Sequence, residues 1–203
     1  MINRSEMIKL LVYIKHHLAF IWSWLEQINC FLFRIRYGKK LNEKISLVLN
    51  KIGSKYIFHL LQKEDMPKLV DFFMRQPNSA YEFFKPHGLD IASLLKKNKD
   101  QSFIMIGAYA EEKLVGYCFL RCFFNGQAFR GKIVDLNYQG RGIGKEMGML
   151  TSKLCLELGF RLFATISKDN VKSIASSKAV NEIRVVKELP NNYIYVEYLL
   201  KKE

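Results

Sequence analysis

From Lys55 to the C-terminus, short runs of branched and aromatic residues alternate with stretches whose apolar residues recur at three- and four-residue spacing. Runs of the first kind are typical of strands, and stretches of the second kind are typical of helices. The predicted strands are Lys55–Leu61, Phe103–Ala110, Leu114–Phe124, Lys132–Tyr138, Leu162–Ser167, Arg184–Leu189 and Tyr193–Leu200. The predicted helices are Met66–Arg75, Leu89–Lys97, a long helix that ends near Leu158, and Val171–Val180. This order predicts an α/β fold, with a mixed central sheet of about seven strands flanked by helices.

Residues 1–54 have a different pattern and are predicted to form an extra N-terminal helical segment, which precedes a domain at 55–203. In Met7–Tyr37, polar residues at helical spacing leave a narrow polar stripe and a wide apolar face. A second, shorter helix is predicted at Leu41–Lys51, after a break at Gly38. The segment is therefore interpreted as basic, amphipathic and helical.

The wide apolar face of this segment has two interpretations, and the sequence leaves both open. Charged residues such as Lys15 and Glu26 interrupt the apolar run, so a helix that crosses a membrane is not expected. The helix would either pack on the domain or on a second copy of the chain, or lie in a membrane interface. In the interface, Trp22 and Trp24 would face lipid, and the basic residues from Arg34 onward would face anionic headgroups. The expected location is the cytoplasm, at the inner face of the membrane if the interfacial interpretation holds.

Positive charge is distributed unevenly along the chain. The net charge is +13, and residues 1–55 contribute +7 of it, from ten basic and three acidic residues. Such an excess favours an anionic partner. A nucleic acid is not the expected one, because the aromatic residues beside the basic ones lie in an apolar helix rather than on an exposed sheet. The four cysteines have no metal-ligand spacing, so buried reduced thiols and no metal site are expected.

A glycine-rich turn lies between a predicted strand and the long helix. The glycines Gly140, Gly142 and Gly144 allow the backbone to approach a ligand closely, and the first N–H groups of the helix point outward without partners. Arg141 and Lys145 add positive charge that can reach phosphate oxygens. The spacing fits neither a P-loop nor the dinucleotide fingerprint. On physical grounds alone, the turn is an anion-binding site.

The run from Ile133 to Lys145 resembles the acyl-CoA signature of the GNAT superfamily of N-acetyltransferases. The family pattern, Gln/Arg-x-x-Gly-x-Gly/Ala after the fourth strand, is matched by Gln139, Gly142 and Gly144. The flanking elements follow the family order over about three-quarters of the chain. The resemblance implies that the backbone at Ile133 and Val134 pairs with the pantetheine arm of acetyl-CoA. It also implies that the pyrophosphate is held by the residues of the turn: Gly140, Arg141, Gly142, Ile143, Gly144 and Lys145.

The resemblance extends to the helix after the fifth predicted strand, with one departure. Asn170 matches the family asparagine that contacts the CoA arm, and it can also cap the helix that follows. The family often has a tyrosine seven residues later, which acts as general acid toward the departing thiolate. Ser177 stands at that position, and a serine hydroxyl is a poor acid at neutral pH. Another group must then supply the proton, or the thiolate leaves unassisted.

Two residues are candidates for the remaining proton transfers. Asp135 lies on the strand predicted before the turn and is the first candidate for general base or for binding the substrate ammonium. His87 lies in the loop before the second helix of the domain, which in the resembling family borders the acceptor pocket. A histidine that titrates near neutrality suits proton transfer. For each of them, a purely structural role remains an alternative.

These features predict an acyl-CoA-dependent N-acyltransferase whose donor is acetyl-CoA or another short acyl-CoA. The expected acceptor is a primary amine on a small molecule, such as an amino sugar or a sugar nucleotide, as in GNAT-like proteins of surface-polysaccharide synthesis. Alternatives are a CoA-binding module without catalysis, which the serine at position 177 favours, and a peptide or protein N-acetyltransferase. The chain could also form a homo-oligomer.

Overall fold

The computed structural model describes residues 19–50, 55–84 and 86–201 of the chain. The helices are α1 (Ala19–Asn50), α2 (Met66–Met74), α3 (Ile91–Asn98), α4 (Ile143–Leu158) and α5 (Val171–Lys178). The strands are β1 (Ile57–Leu60), β2 (Phe103–Ala110), β3 (Lys113–Cys122), β4 (Gln127–Val134), β5 (Arg161–Ser167), β6 (Asn181–Leu189) and β7 (Tyr193–Leu200). Short 3₁₀ turns occur at Lys63–Asp65, Asn78–Tyr81 and Leu136–Tyr138.

The seven strands form one mixed sheet in the order β1-β2-β3-β4-β5-β7-β6, which confirms the predicted α/β fold with helices on both faces. Neighbouring strands are antiparallel except for β4 and β5, which are parallel. That parallel pair is short, since only Gln127–Phe129 of β4 pair with Arg161–Phe163 of β5. Beyond these three residue pairs the strands diverge, and the sheet opens at their carboxyl ends.

Alternate residues of the central strands supply two separate cores. On β2, Ile104 and Ile106 belong to the core under α1 and α4, whereas Phe103 and Met105 belong to the core under α2 and α3. Successive side chains of a strand point to opposite faces, so a strand covered on both faces reads as a continuous apolar run. The two cores fix the sheet between two helical layers.

Helix α1 packs along the domain through one face. Phe33 and Tyr37 are buried and contact the ring of Phe160, and Leu41 and Ile45 extend the same contact surface. The predicted break at Gly38 is wrong, because α1 continues through this glycine to Asn50. An interior glycine costs a helix about 1 kcal/mol, less than the apolar burial on either side contributes. The predicted helical residues 7–18 lie outside the described residues.

The strand that precedes the glycine-rich turn is shifted from its prediction. It runs over Gln127–Val134 rather than Lys132–Tyr138, and pairs with β3 from Cys122 to Gly116. The start of the strand was not predicted, because its first residues include polar ones. The strand is followed by a 3₁₀ turn at Leu136–Tyr138. The sequence around Asp135 therefore forms a tight connection between the strand and the glycine turn.

Candidate active site

A cleft of about 1120 Å³ opens where β4 and β5 diverge. Its walls are the carboxyl halves of β4 and β5, the glycine-rich turn, and the first turns of α4 and α5. Its far end is closed by Ser79, Ala80, Phe83 and Phe84 from the connection between α2 and α3. The position follows from the topology, because ligands of α/β sheets bind outside the carboxyl ends of strands that separate.

The glycine-rich turn has the backbone that an anion site requires. Gly140 and Gly142 have φ values of 76° and 89°, which L-residues with side chains adopt at a cost. A side chain added at Gly140 would meet no atom within 4 Å, so the turn is open on its outer side. Gly142 is the N-cap of α4, and the positive end of this 16-residue helix faces the cleft. These features fit the pyrophosphate of a coenzyme A ester.

Most of the predicted cofactor-binding residues meet at this cleft. Ile133, Val134, Gln139, Gly140, Gly142, Ile143, Gly144, Lys145 and Asn170 all line it. Beyond Phe129 the edge of β4 that faces β5 is unpaired within the described sheet, which leaves main-chain groups for a pantetheine arm. The guanidinium of Arg141 lies over the ring of Tyr138, with 4.7 Å between its carbon and the ring centroid.

Asn170 performs the capping role that the sequence allows and also lies on the cleft wall. Its side-chain oxygen accepts a hydrogen bond from the backbone N–H of Ser173 at 3.0 Å and so caps α5. Gln139 is also engaged, since its side-chain oxygen accepts a hydrogen bond from Lys172 at 3.0 Å. The contact between Lys172 and Gln139 joins the start of α5 to the residue that precedes the glycine-rich turn.

Asp135 follows the last residue of β4 rather than lying within the strand, which corrects its predicted position. Its side chain is 2% exposed and accepts hydrogen bonds from Arg75 at 3.1 Å and from the Asn137 N–H at 3.0 Å. Burial alone would raise the pKa of this carboxyl, but the bonds from Arg75, Asn137 and Gln76 hold the pKa below its ordinary value. The carboxylate is not among the groups that line the cleft. In this structure it anchors α2 to the end of β4.

His87 lies behind the aromatic end of the cleft, against Tyr117, Phe103 and Phe119. Its Nδ1 is 2.7 Å from the Gly88 carbonyl, which can only accept, so this nitrogen carries the proton. Its Nε2 then accepts a hydrogen bond from the Tyr117 hydroxyl at 3.1 Å. Burial lowers the pKa of His87 despite the bond to Gly88, which keeps the imidazole neutral at pH 7. The structure thus brings neither His87 nor Asp135 into the cleft wall.

Two basic residues of β4 that sequence reasoning missed do line the cleft. Arg130 and Lys132 point from the strand toward α4, between the glycine-rich turn and the β7 residue Tyr198. The sequence itself indicates that these two residues belong together, because charged residues two positions apart on a buried strand lie on the same face of it. The shifted boundary of β4 concealed it, since Arg130 fell outside the predicted strand.

The position where the resembling family has its tyrosine is closed. Ser177 is fully buried, and its hydroxyl lies 3.3 Å from the hydroxyl of Tyr198. The neighbouring Ser176 faces the cleft instead and accepts a hydrogen bond from Lys132. The Ser177 side chain therefore points into the protein interior and does not line the cleft.

Comparison with known proteins identifies the fold and the family. The sequence pattern described as "Acetyltransferase (GNAT) family" matches residues 64–177. No sequence among curated proteins matches that of the chain. Solved structures do match, at low sequence identity. A ribosomal-protein-S5-alanine acetyltransferase from Vibrio fischeri has a TM-score of 0.59 and 17% identity, over 72% of this chain and 93% of that chain.

Two further structures of this fold were solved with coenzyme A. The PaiA N-acetyltransferase from Thermoplasma acidophilum has a TM-score of 0.58 and 15% identity, over 70% of this chain and 97% of that chain. An aminoglycoside acetyltransferase in complex with coenzyme A and kanamycin has a TM-score of 0.56 and 14% identity, over 72% of this chain and 95% of that chain. At these identities the likeness concerns the fold alone.

Proposed function

Because the chain belongs to the acetyltransferase (GNAT) family, we propose that it transfers an acetyl or another short acyl group from acyl-CoA to a primary amine of a small molecule. The observation that carries this proposal is the glycine-rich turn at the N-terminus of α4, which opens into the cleft between β4 and β5. The acyl-CoA is a substrate, and the amine attacks its thioester directly. A C–N bond forms, the C–S bond breaks, and coenzyme A leaves as the thiol.

The chain contributes binding and orientation to this reaction. The turn Gly140–Lys145 would hold the pyrophosphate, and the unpaired edge of β4 would align the pantetheine arm through main-chain hydrogen bonds. The apolar end at Phe83 and Phe84 would exclude water from the acceptor side. Asp135 and His87 remain proposals for proton transfer, and both would have to act through an intervening group.

The charge of the cleft favours an acidic acceptor over a polycationic one. Arg130, Lys132, Lys145 and Lys172 line it, whereas Asp169 is the one acidic residue in its described lining. A nucleotide-linked amino sugar carries phosphates that such a cleft attracts, and its ring and base can pack on aromatic side chains. We therefore favour amino sugar nucleotides as acceptors over free aminoglycosides.

A screen for thiol release tests this assignment. Acetyl-CoA should raise the melting temperature of the protein, and coenzyme A thiol should then appear with an amino sugar nucleotide as acceptor. A panel of free amino sugars, peptides with free N-termini and aminoglycosides provides the comparison. Turnover with the peptides alone would show that the acceptor is a peptide N-terminus rather than an amino sugar nucleotide. The absence of any stabilisation by millimolar acetyl-CoA would overturn the proposal.

A CoA-binding module without catalysis is the second candidate, and the burial of Ser177 favours it. Such a module would bind acetyl-CoA through the same glycine-rich turn and release no thiol with any amine of the panel. His87→Ala and Asp135→Asn variants would then leave acetyl-CoA binding unchanged. In a transferase that uses either group, the corresponding variant would lower kcat by about 100-fold or more.

We also propose that the protein works at a membrane surface that carries anionic lipids, at the cytoplasmic face. An exposed apolar stripe of α1, formed by Trp24, Ile28, Phe31 and Ile35, faces away from the domain. Exposed basic residues flank the stripe: Arg34, Arg36, Lys39 and Lys40. Apolar insertion combined with positive flanks is the pattern of an interfacial helix, and the charge selects anionic lipid over a second apolar surface.

The two tryptophans of this proposed interfacial helix have different surroundings. The ring of Trp22 packs under the guanidinium of Arg121, 5.8 Å from its carbon, whereas Trp24 is exposed. Trp24 is therefore the tryptophan that we propose to enter lipid. No described helix of the chain has both the length and the apolar character to span a membrane.

Sedimentation with lipid vesicles tests the membrane proposal. The protein should bind phosphatidylcholine vesicles that contain phosphatidylserine and not pure phosphatidylcholine vesicles. Phe31→Glu should abolish this binding, whereas Met74→Glu, an exposed apolar position on α2, should retain it. The wild type could instead fail to bind vesicles and form a dimer that Phe31→Glu dissociates. That outcome would assign the stripe to a second copy of the chain.

A further inference from the structure

The floor of the cleft contains two basic side chains, the buried Arg130 and the partly buried Lys132, that a purely main-chain CoA site does not require. Lys132 Nζ donates hydrogen bonds to the Gly144 carbonyl and to the Ser176 hydroxyl, both at 2.8 Å. Arg130 Nη1 donates to the Gly148 carbonyl at 3.0 Å and to the hydroxyls of Thr151 and Ser152 at 3.2 Å. None of these partners carries a negative charge.

Arg130 leaves part of its hydrogen-bonding capacity unused. Its side chain is 6% exposed, and Nη2 has no partner among the described residues. Its guanidinium carbon lies 3.9 Å from the centroid of the Tyr198 ring, which stabilises the cation without neutralising it. A buried arginine and a partly buried lysine with no anionic partner among the described residues are costly, so the cleft is suited to negative charge on its ligand. In acyl transfer from a thioester, negative charge develops on the departing sulfur.

Lys132 is the better placed of the two to deliver a proton there. It lies on the β4 edge that borders the gap to β5, and its amine reaches across to α5 beside position 177. An arginine guanidinium is not deprotonated in proteins, so Arg130 cannot donate a proton. The hydroxyls of Ser176 and Ser177 are too weakly acidic for the task at neutral pH.

We propose that Lys132 is the acid that protonates the coenzyme A thiolate as it leaves, while Arg130 adds positive charge beneath it. This inference rests on the proposed acyl transfer and names a catalytic residue for it. As the C–S bond breaks, the sulfur takes the bonding electron pair and then a proton from the Lys132 ammonium. The neutral Lys132 amine recovers a proton from solvent, and the surplus proton on the substrate nitrogen passes to water.

The acidity of Lys132 suits this role. Burial, with a smaller contribution from the charge of Arg130, lowers the pKa of Lys132 from 10.5 to about 7. On β3, Cys118 is the ionisable neighbour, and α4 and α5 present only the Gly144 carbonyl and the Ser176 hydroxyl as its hydrogen-bond partners. An alkyl thiol has a pKa of about 8.5, so transfer from Lys132 to a thiolate is downhill. An acid with a pKa near the working pH is also the most effective donor.

Two variants at position 132 separate proton donation from charge alone. Lys132→Met removes both, and Lys132→Arg keeps the charge but cannot release a proton. Both variants should lower kcat by about 100-fold or more, while acetyl-CoA still raises their melting temperatures. The kcat of the wild type should decrease as the pH rises through an apparent pKa near 7. This decrease should be absent from both variants. Lys187→Met, at an exposed position of β6, is the matched control and should behave as the wild type.

A labelling experiment gives a readout that does not depend on turnover. Competitive acetylation with trace acetic anhydride, followed by mass spectrometry, should show that Lys132 becomes reactive as the pH rises through about 7. Free coenzyme A should protect Lys132 from the reagent and leave Lys187 reactive.

The outcomes distinguish the two proposals. If the wild type neither binds acetyl-CoA nor releases thiol, the proposed function fails. If the wild type is active, and the Lys132→Arg variant has the same kcat and the same decrease of kcat above pH 7, the proton-donor role is overturned. If coenzyme A gives Lys132 no protection, the side chain does not face the substrate, and the inference is again overturned.

Discussion

At the scale of single residues, backbone conformation and buried charge decide what the cleft can do. Gly140 and Gly142 adopt left-handed conformations that allow a ligand to approach the start of α4. The burial of Lys132 lowers the pKa of its amine and so disfavours the charged form. Each feature depends on one side chain or its absence, so each can be tested with a single substitution.

Substitution of Gly142 by Val should weaken acetyl-CoA binding by about tenfold or more. The φ of 89° costs a residue with a side chain about 1–2 kcal/mol, and the added side chain stands where the phosphates approach. Isothermal titration with acetyl-CoA measures the loss. Gly159→Val is the matched control, because Gly159 has a φ of 79° at the other end of α4, outside the cleft lining. Equal losses of affinity in both variants would assign the effect to backbone strain.

The stability of Lys132→Met should differ from that of the wild type in a pH-dependent way. Between pH 7 and pH 10 the unfolded wild type binds a proton at Lys132 that the folded protein does not. Wild-type stability should therefore rise with pH in this window, relative to the variant, by up to about 1.4 kcal/mol per pH unit. Urea unfolding at several pH values measures the difference. A difference that does not change with pH would show that Lys132 titrates normally.

At the scale of elements, α1 acts as part of the domain while it also presents a free face. Glu26 pairs with Lys97 of α3 and Arg121 of β3, and the side chain of Asn29 bonds to the backbone of Cys122 and Phe124. These contacts fix the rotation of the helix, so that the stripe with Phe31 points outward. The packing interpretation and the interfacial interpretation therefore describe opposite faces of one helix.

Two phenylalanines of α1 should respond differently to replacement by alanine. Phe33 is 0% exposed against Tyr37 and Phe160, so Phe33→Ala should lower the free energy of unfolding by about 3–5 kcal/mol. Phe31 is 53% exposed, so Phe31→Ala should change it by less than about 0.5 kcal/mol and weaken vesicle binding. Chemical denaturation and vesicle sedimentation measure the two effects. Similar stability losses in both variants would contradict the orientation of the helix.

At the scale of the whole molecule, the sheet consists of two parts joined by three residue pairs between β4 and β5. The second part, β5-β7-β6, forms the far wall of the cleft. Glu197 of β7 joins its three strands, since the buried carboxylate accepts hydrogen bonds from Arg161 of β5 and Arg184 of β6.

Glu197→Gln should destabilise the protein and alter its acid unfolding. The bond from Arg161, with that from Arg184, holds the pKa of Glu197 below 4.5 despite burial. The stabilisation by Glu197 is therefore present above pH 4.5 and is lost as the pH falls through its lowered pKa. At pH 7 the variant should be less stable by about 1–3 kcal/mol, and this difference should shrink below pH 4. Thermal unfolding as a function of pH measures it, and a constant difference would contradict the assignment.

The local signals of the sequence determined much of this molecule. The bounds of the strands Phe103–Ala110 and Tyr193–Leu200 were predicted correctly. Each strand is a short apolar run between turn residues, and such a run has no helical periodicity that would favour another assignment. The glycine-rich turn predicted an anion site and, through its resemblance, indicated the family, since such a turn needs only neighbours in sequence. The capping role of Asn170 was equally local.

Only the tertiary structure decided the features that depend on residues distant in sequence. The start of β4 was missed, because Gln127 and Arg130 are polar and the hydrogen-bond partners of Arg130 lie on α4. The continuation of α1 through Gly38 depends on burial against the domain, which outweighs the helix-breaking tendency of glycine. The ion pair of Asp135 with Arg75 spans 60 residues of sequence. Burial and charge are properties of what surrounds a residue in space, and for these residues the surroundings come from other elements of the chain.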